Sequence, residues 1–259
     1  MDLGLNNKVA LITGVGSQVG MGKAIALTLA REGCDIIASD VDIEGAKKTA
    51  SEIRALGREV IAVKADVTKV DEVNKMVEAG LKEFGKIDIL VNNAGGTRFI
   101  GPLATANLED IEKEIKLNLM SVFYCAKAVL PHMMERQSGK IVNISSIAAR
   151  QGVPGGSGYC SAKTGLLGLT RSLSMEAGRM GINVNAIAPG LVVTNFYGGE
   201  GAPMLAALPP ELKDPEKLTP LGKEITTQDI ANSVLFLVTH LSDKITGQVI
   251  SVDCGQTMT

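Results

Sequence analysis

Apolar residues recur along this chain in two alternating rhythms. Short, mostly apolar runs at 8–13, 35–39, 59–64, 87–91, 140–144, 183–188 and 248–252 are bounded by polar or glycine positions, and predict buried strands. Between them the spacing changes to three and four. Ile25, Ala26, Leu29 and Ala30 mark a helix in 23–31, a second fills 43–56, and Val70, Val73, Val77 and Leu81 share one face of a third at 68–84. Asn107 is placed to cap a long helix running towards 134. A further helix carries Leu166, Leu169, Leu173 and Met175, and the last spans 229–240. This alternation predicts one α/β domain over 1–259: a single doubly wound parallel sheet with helices on both faces, Rossmann-like. Residues 195–220 break the rhythm, with Gly198, Gly199, Gly201, Pro203, Pro209 and Pro210 among apolar Met204, Leu205 and Leu208. So long an irregular stretch reads as a substrate-covering lid, or else as a surface loop.

The first strand ends in Thr13-Gly-Val-Gly-Ser-Gln-Val-Gly-Met-Gly22, and a helix follows. Strand, glycine-rich turn and helix is the context of a dinucleotide site. Bare glycines let the backbone approach a pyrophosphate, and the helix start supplies amide donors. Gly14, Gly20, Met21 and Gly22 are the candidate contacts; the plain alternative is a tight βα turn. Asp40 closes the second strand, at the distance expected of an acid that binds the adenosine ribose. A 2′-phosphate there would face that acid at a cost of about 4 kcal/mol, for unit charges ~4 Å apart at an effective dielectric of ~20. Val41 and Asp42 follow with no cation to offset it, which favours NAD as the cofactor. The alternative role for Asp40 is a cap on the next helix.

Tyr159 and Lys163 are four apart, which places them on one helical face if Ser157 or Gly158 opens a helix. A nearby ammonium favours the phenolate, so this pair suits acid–base work. Ser146 lies just past a buried strand, where open α/β sheets hold their ligands. Asn118 falls among Ile115, Leu119, Val122 and Phe123, where a buried amide needs partners, in the backbone or in a site.

Composition narrows the alternatives. At 45% hydrophobic and 21% charged the chain has a large core, and a net charge of −2 argues against a nucleic-acid partner. No apolar run reaches the ~20 residues of a membrane span, and the first residues lack a signal-peptide pattern, so a cytoplasmic location is the expectation. Cys34, Cys125, Cys160 and Cys254 are scattered, which points to reduced thiols and no metal site. His132 and His240 do not support a histidine triad.

Taken in order, these motifs resemble the short-chain dehydrogenase/reductase family over 8–255: the turn at 13–22, Asp66-Val67, Asn92-Asn93-Ala94-Gly95, Asn118, Ser146, Tyr159-x-x-x-Lys163, Pro189-Gly190 with Thr194, and Thr246-Gly247-Gln248. The resemblance implies that Tyr159 exchanges a proton with the substrate oxygen. Lys163 lowers its pKa and holds the nicotinamide ribose, Ser146 bonds the reacting oxygen, and Asn118 supports a proton relay. It implies adenine contacts from Asp66 and Val67, an adenosine-side contact from Asn93, carboxamide contacts from Val192 and Thr194, and a homotetramer. Two departures stand out. The family's TGxxxGxG turn is two residues longer here, which predicts a different loop course, and Val252-Asp-Cys254-Gly replaces a common double glycine. A longer glycine loop also occurs in the family's enoyl reductases, but those space Tyr and Lys more widely.

The implied substrate is a small molecule, a secondary alcohol or ketone, with a 3-hydroxyacyl thioester or a hydroxy acid as examples. The alternative is an NADPH-dependent 3-oxoacyl-thioester reductase, because the stretch at 93–98 is similar to those enzymes. Arg98 and Arg150 are candidates for an anionic substrate group, against the plainer reading of solvated arginines. A non-catalytic subunit on the same fold would have been expected to lose one of Asn118, Ser146, Tyr159 or Lys163.

Overall fold

Seven strands, β1 (Val9–Thr13), β2 (Asp35–Asp40), β3 (Val60–Lys64), β4 (Ile89–Asn92), β5 (Gly139–Ile144), β6 (Ile182–Pro189) and β7 (Val249–Val252), form one sheet in the computed structural model. The described residues are 2–97, 99–192, 194 and 219–258. All but the last two residues of the lid expected at 195–220 lie outside them, as does Arg98. The strand order is β3-β2-β1-β4-β5-β6-β7, and every pairing is parallel. Winding runs outward from β1 to β3, then resumes at β4 on the other side of β1. That reversal opens a crevice at the carboxyl ends of β1 and β4.

Helices cover both faces: α1 (Met21–Arg31), α2 (Ile43–Ala55), α3 (Val70–Phe84), α4 (Leu108–Ile115), α5 (Ser121–Glu135), α6 (Ser157–Ala177) and α7 (Thr227–Val238). Side chains alternate across a strand, and here both sides are dry. Ala10 and Ile12 of β1 join a core with Ile25, Leu29, Ile53 and Val234, whereas Val9 and Leu11 join one with Met76, Val77, Val129 and Leu166. This is why the strands read as continuous apolar runs.

The long helix expected from Asn107 does begin there, with Asn107 accepting from the Glu109 amide at 3.0 Å. It runs on past 134 to Glu135, but not as one uniform α-helix. A π-helical turn, Lys116–Met120, separates α4 from α5. Asn118 sits in that turn, and its side-chain amide donates to the Glu114 carbonyl at 3.1 Å. A polar side chain competing for helix backbone in this way is a known cause of local widening, often at functional sites.

All four cysteines are free. Burial pushes the Cys34 and Cys125 thiols up to about 12, so both behave as core residues. Among the described residues no helix is long and apolar enough to cross a membrane, and no group of His, Cys, Asp or Glu could hold a metal.

Candidate active site

β5 delivers Ser145 and Ser146 to the carboxyl edge of the sheet. Ser146 is extended and caps a short 3-10 turn, its Oγ accepting from the Ala148 amide at 3.1 Å. Ser145 Oγ donates to the Lys163 carbonyl at 2.9 Å, pinning α6 to the end of β5. α6 starts at Ser157, so Tyr159 and Lys163 occupy its first two turns on one face. Lys163 is only 4% exposed. Its Nζ donates to the Ile144 carbonyl at 2.9 Å and lies 5.7 Å from the centre of the Tyr159 ring. The half-buried Tyr159 shares a hydrogen bond with Ser146.

Asn118 is fully buried. Its Nδ2 donates to the Gly96 carbonyl at 2.7 Å, and its Oδ1 accepts from the Gly96 amide at 3.0 Å. Gly95 allows the approach: a Cβ there would stand 2.9 Å from Asn118 Oδ1 and 3.3 Å from Lys163 Nζ. The four residues expected to act together are therefore brought together, with Asn118 held by backbone partners.

The sign of one effect departs from expectation. Burial pushes the Tyr159 phenol up to about 12; the Ser146 hydrogen bond opposes this, while Glu114 and Cys160 add to it. Burial likewise lowers the Lys163 ammonium to about 8, against the pull of Glu114. Desolvation is the largest influence on the phenol, and Lys163, which faces the ring and bonds the Ile144 carbonyl, does not offset it.

A cleft of about 460 Å³ occupies the crevice, lined by Gly14, Ser17, Asp40, Asp66, Val67 and Asn93 among others. Gly14 has φ +76°, and a Cβ on Gly22 would collide with the Gly14 carbonyl oxygen. Asn93 straps this turn to β4, its Nδ2 donating to the Thr13 and Gly14 carbonyls at 2.9 and 3.0 Å. Its Oδ1 is buried with no partner among the described residues. Asp40 does not cap α2; Asp42 does, accepting from the Gly45 amide at 3.1 Å. The Asp40 carboxylate accepts from the Gly16 and Asp42 amides at 2.7 and 2.9 Å, and no described Lys or Arg pairs with it. Asp66 accepts from the Thr68 hydroxyl at 2.7 Å, and Val67 is buried beside it.

The lengthened glycine turn spends its extra residues on α2. Gln18 Nε2 donates to the Gly16 and Gly45 carbonyls at 2.8 and 3.1 Å, and Thr49 Oγ1 donates to the Val15 carbonyl at 2.9 Å. A smaller hollow of about 80 Å³ joins Met21 of the turn to Ser146, Tyr159, Val192 and Thr194. Val192 is held by a parallel bridge to Ile225. A larger hollow of about 720 Å³ lies at the amino ends of the strands, around Lys8, Asp88, Gly139 and Ile182, on the edge of the sheet opposite to Tyr159.

Two residues escaped the sequence reading. Gln18 carried no signal beyond its place in a long loop. Glu114 is 1% exposed and stands one helical turn ahead of Asn118, a spacing that could have flagged it. Arg150 reaches β7, donating to the Val249 carbonyl at 2.8 Å.

A family model described as enoyl-(acyl carrier protein) reductase matches residues 14–257. The chain is 43% identical over 256 residues to the (2S)-[(R)-hydroxy(phenyl)methyl]succinyl-CoA dehydrogenase subunit BbsD of Thauera aromatica, covering 98% of this chain and 97% of that one. It is 38% identical over 257 residues to a 3-oxoacyl-[acyl-carrier-protein] reductase of Synechocystis sp., covering 98% of each. Among solved structures, a 7α-hydroxysteroid dehydrogenase in complex with NADH and 7-oxo glycochenodeoxycholic acid superposes with a TM-score of 0.89 at 32% identity, covering 100% of this chain and 98% of that one.

Proposed function

The chain belongs to the short-chain dehydrogenase/reductase family, and from that premise we propose that it moves a hydride between NAD(H) and the carbinol carbon of a secondary alcohol, its whole length acting as one dinucleotide-binding and catalytic domain. The carrying observation is that Ser146 and Tyr159 open onto the same hollow as Met21, beside the glycine cleft. The cleft suits a dinucleotide: Gly14 and Gly22 leave no room for a Cβ, and Asn93 presents an orphaned buried oxygen. Bound there, the nicotinamide supplies the hydride acceptor or donor. The residues handle the rest. Tyr159 takes the hydroxyl proton during oxidation and returns it during reduction, Ser146 bonds the same oxygen, and Lys163 holds the ribose and the phenolate charge. Asn118 fixes the inner end of the proton path. The positive charge of the oxidised cofactor adds to Lys163 and opposes the burial that raises the phenol.

Asp40 supports NAD(H) over NADP(H), since no described cation offsets it against a 2′-phosphate. The names of the Thauera and Synechocystis relatives both carry acyl thioesters, which supports a 3-hydroxyacyl thioester or a related hydroxy acid as substrate. The second reading, an NADPH-dependent 3-oxoacyl-thioester reductase, draws on the Synechocystis likeness. Fluorescence titration with NADH and NADPH separates the two. The expected result is NADH binding at least ~10-fold tighter, with Asp40→Asn narrowing the ratio by about tenfold, or about 1.4 kcal/mol. Asparagine keeps an acceptor for the Gly16 amide while removing the charge. Tighter NADPH binding in the unaltered protein would make thioester reduction the leading reading.

A homotetramer and a cytoplasmic location complete the proposal. Leu108, Phe123 and Met175 are exposed apolar residues on α4, α5 and α6 and are available for assembly. Light scattering is expected to return four chain masses, and one chain mass would remove the tetramer.

A further inference from the structure

The glycine turn carries an exposed side chain with both polar atoms bonded to protein. Gln18 Nε2 donates to the Gly16 carbonyl at 2.8 Å and to the Gly45 carbonyl at 3.1 Å, and stands 3.5 Å from Thr49 Oγ1. Its Oε1 accepts from Lys23 Nζ at 3.0 Å, and the same ammonium pairs with Glu52 at 2.6 Å. These bonds join the turn to α1 through Lys23 and to α2 through Gly45, Thr49 and Glu52. Holding a glutamine in one rotamer costs conformational entropy, and in an exposed loop water would satisfy its amide without that cost.

Gly16 is the residue this tether holds. It is buried between Asp40 and α2. A Cβ on Gly16 would stand 2.8 Å from Asp40 Cγ, and a Cβ on Gly45 would collide with the Gly16 carbonyl oxygen. The Gly16 amide donates to Asp40 Oδ2 at 2.7 Å, while its carbonyl accepts from Gln18, so one residue couples the two side chains. The other Asp40 oxygen accepts from the Asp42 amide at 2.9 Å. The carboxylate is thus fixed at both oxygens, and its remaining lone pairs are left for the cleft that it lines.

We propose that Gln18 is a positioning residue for cofactor choice: by holding Gly16 against Asp40 it keeps the carboxylate where it accepts from the adenosine ribose and repels a 2′-phosphate. Gln18 is not among the residues that line the cleft, and acts through Gly16. The inference rests on the reading of Asp40 as the residue that selects NAD(H).

The test is a fluorescence titration with NADH and NADPH of the unaltered protein, Gln18→Met, Asp40→Asn and the double variant. Methionine keeps the length of the side chain and removes its bonds. Gln18→Met is expected to narrow the preference for NADH by about fivefold, the scale of one neutral hydrogen bond, chiefly by weakening NADH. In an Asp40→Asn background the same substitution should change the ratio by less than about twofold, because no charge is left for the tether to aim. A merely structural glutamine would weaken both cofactors alike, so an unchanged ratio overturns the proposal, and so does equal narrowing in both backgrounds. If Gln18→Met does not fold, Gln18→Ala takes its place in the cycle. Tighter NADPH binding in the unaltered protein would instead remove Asp40 as the selector and this inference with it, a failure seen without any Gln18 variant.

Discussion

Tyr159→Phe is expected to lower turnover by about 10²–10⁴-fold, the usual contribution of a positioned acid or base, while NADH binding stays within about twofold. The ring, its packing and the Lys163 ammonium over it are all retained, so only the exchangeable proton is lost. Ser146 cannot replace it, because an aliphatic hydroxyl is a far weaker acid than a phenol; its Oγ, held at the cap of a 3-10 turn by the Ala148 amide at 3.1 Å, can bond the reacting oxygen but not exchange a proton with it at neutral pH. Stopped-flow turnover and a fluorescence titration of the same preparation check both halves. Loss of cofactor binding together with turnover would show that the phenol is part of the cofactor site before it is an acid.

Lys163→Met is expected to abolish turnover by at least ~10²-fold and to change how stability depends on pH. In the folded chain the ammonium loses its proton at about 8; in the unfolded chain it does so near its ordinary 10.5. Between those values the unfolded chain binds more protons, so the lysine's contribution to stability rises with pH. From pH 7 to pH 9.5 the stability of the unaltered protein relative to the methionine variant should rise by about 2 kcal/mol. Urea unfolding of both proteins across that range reads the difference directly, with other titrating groups cancelling. A flat difference would mean that Lys163 keeps its charge throughout.

Much of this was legible in the chain itself, for reasons that differ by residue. The strands announced themselves because a parallel sheet covered on both sides needs apolar residues at every position, as β1 has. Tyr159 and Lys163 were readable because helical spacing alone puts them on one face. The widening at Asn118 was not, since the pattern of Ile115, Leu119 and Val122 continues through it; only the bonds to Gly96 and Glu114 reveal the π turn. The upward shift of Tyr159 was hidden for a related reason. The sequence shows the ammonium four residues away but not the burial that dominates the phenol. Asp40 was located but not its occupation, because the Gly16 amide reaches it across a loop of unfamiliar length.

That loop has a consequence for how such turns can vary. Ser17 lines the cleft, whereas Gln18 lies down on α2, where the Gly45 carbonyl and the Thr49 hydroxyl accept from it. The backbone that lines the cleft and the landing surface on the neighbouring helix are thus separate parts of the loop. Loop length becomes a free variable wherever that helix offers a glycine and a hydroxyl to land on. Drift in the number of residues between Gly14 and Gly20 is then a matter for α2 to absorb, and the geometry presented to the ligand can be inherited unchanged.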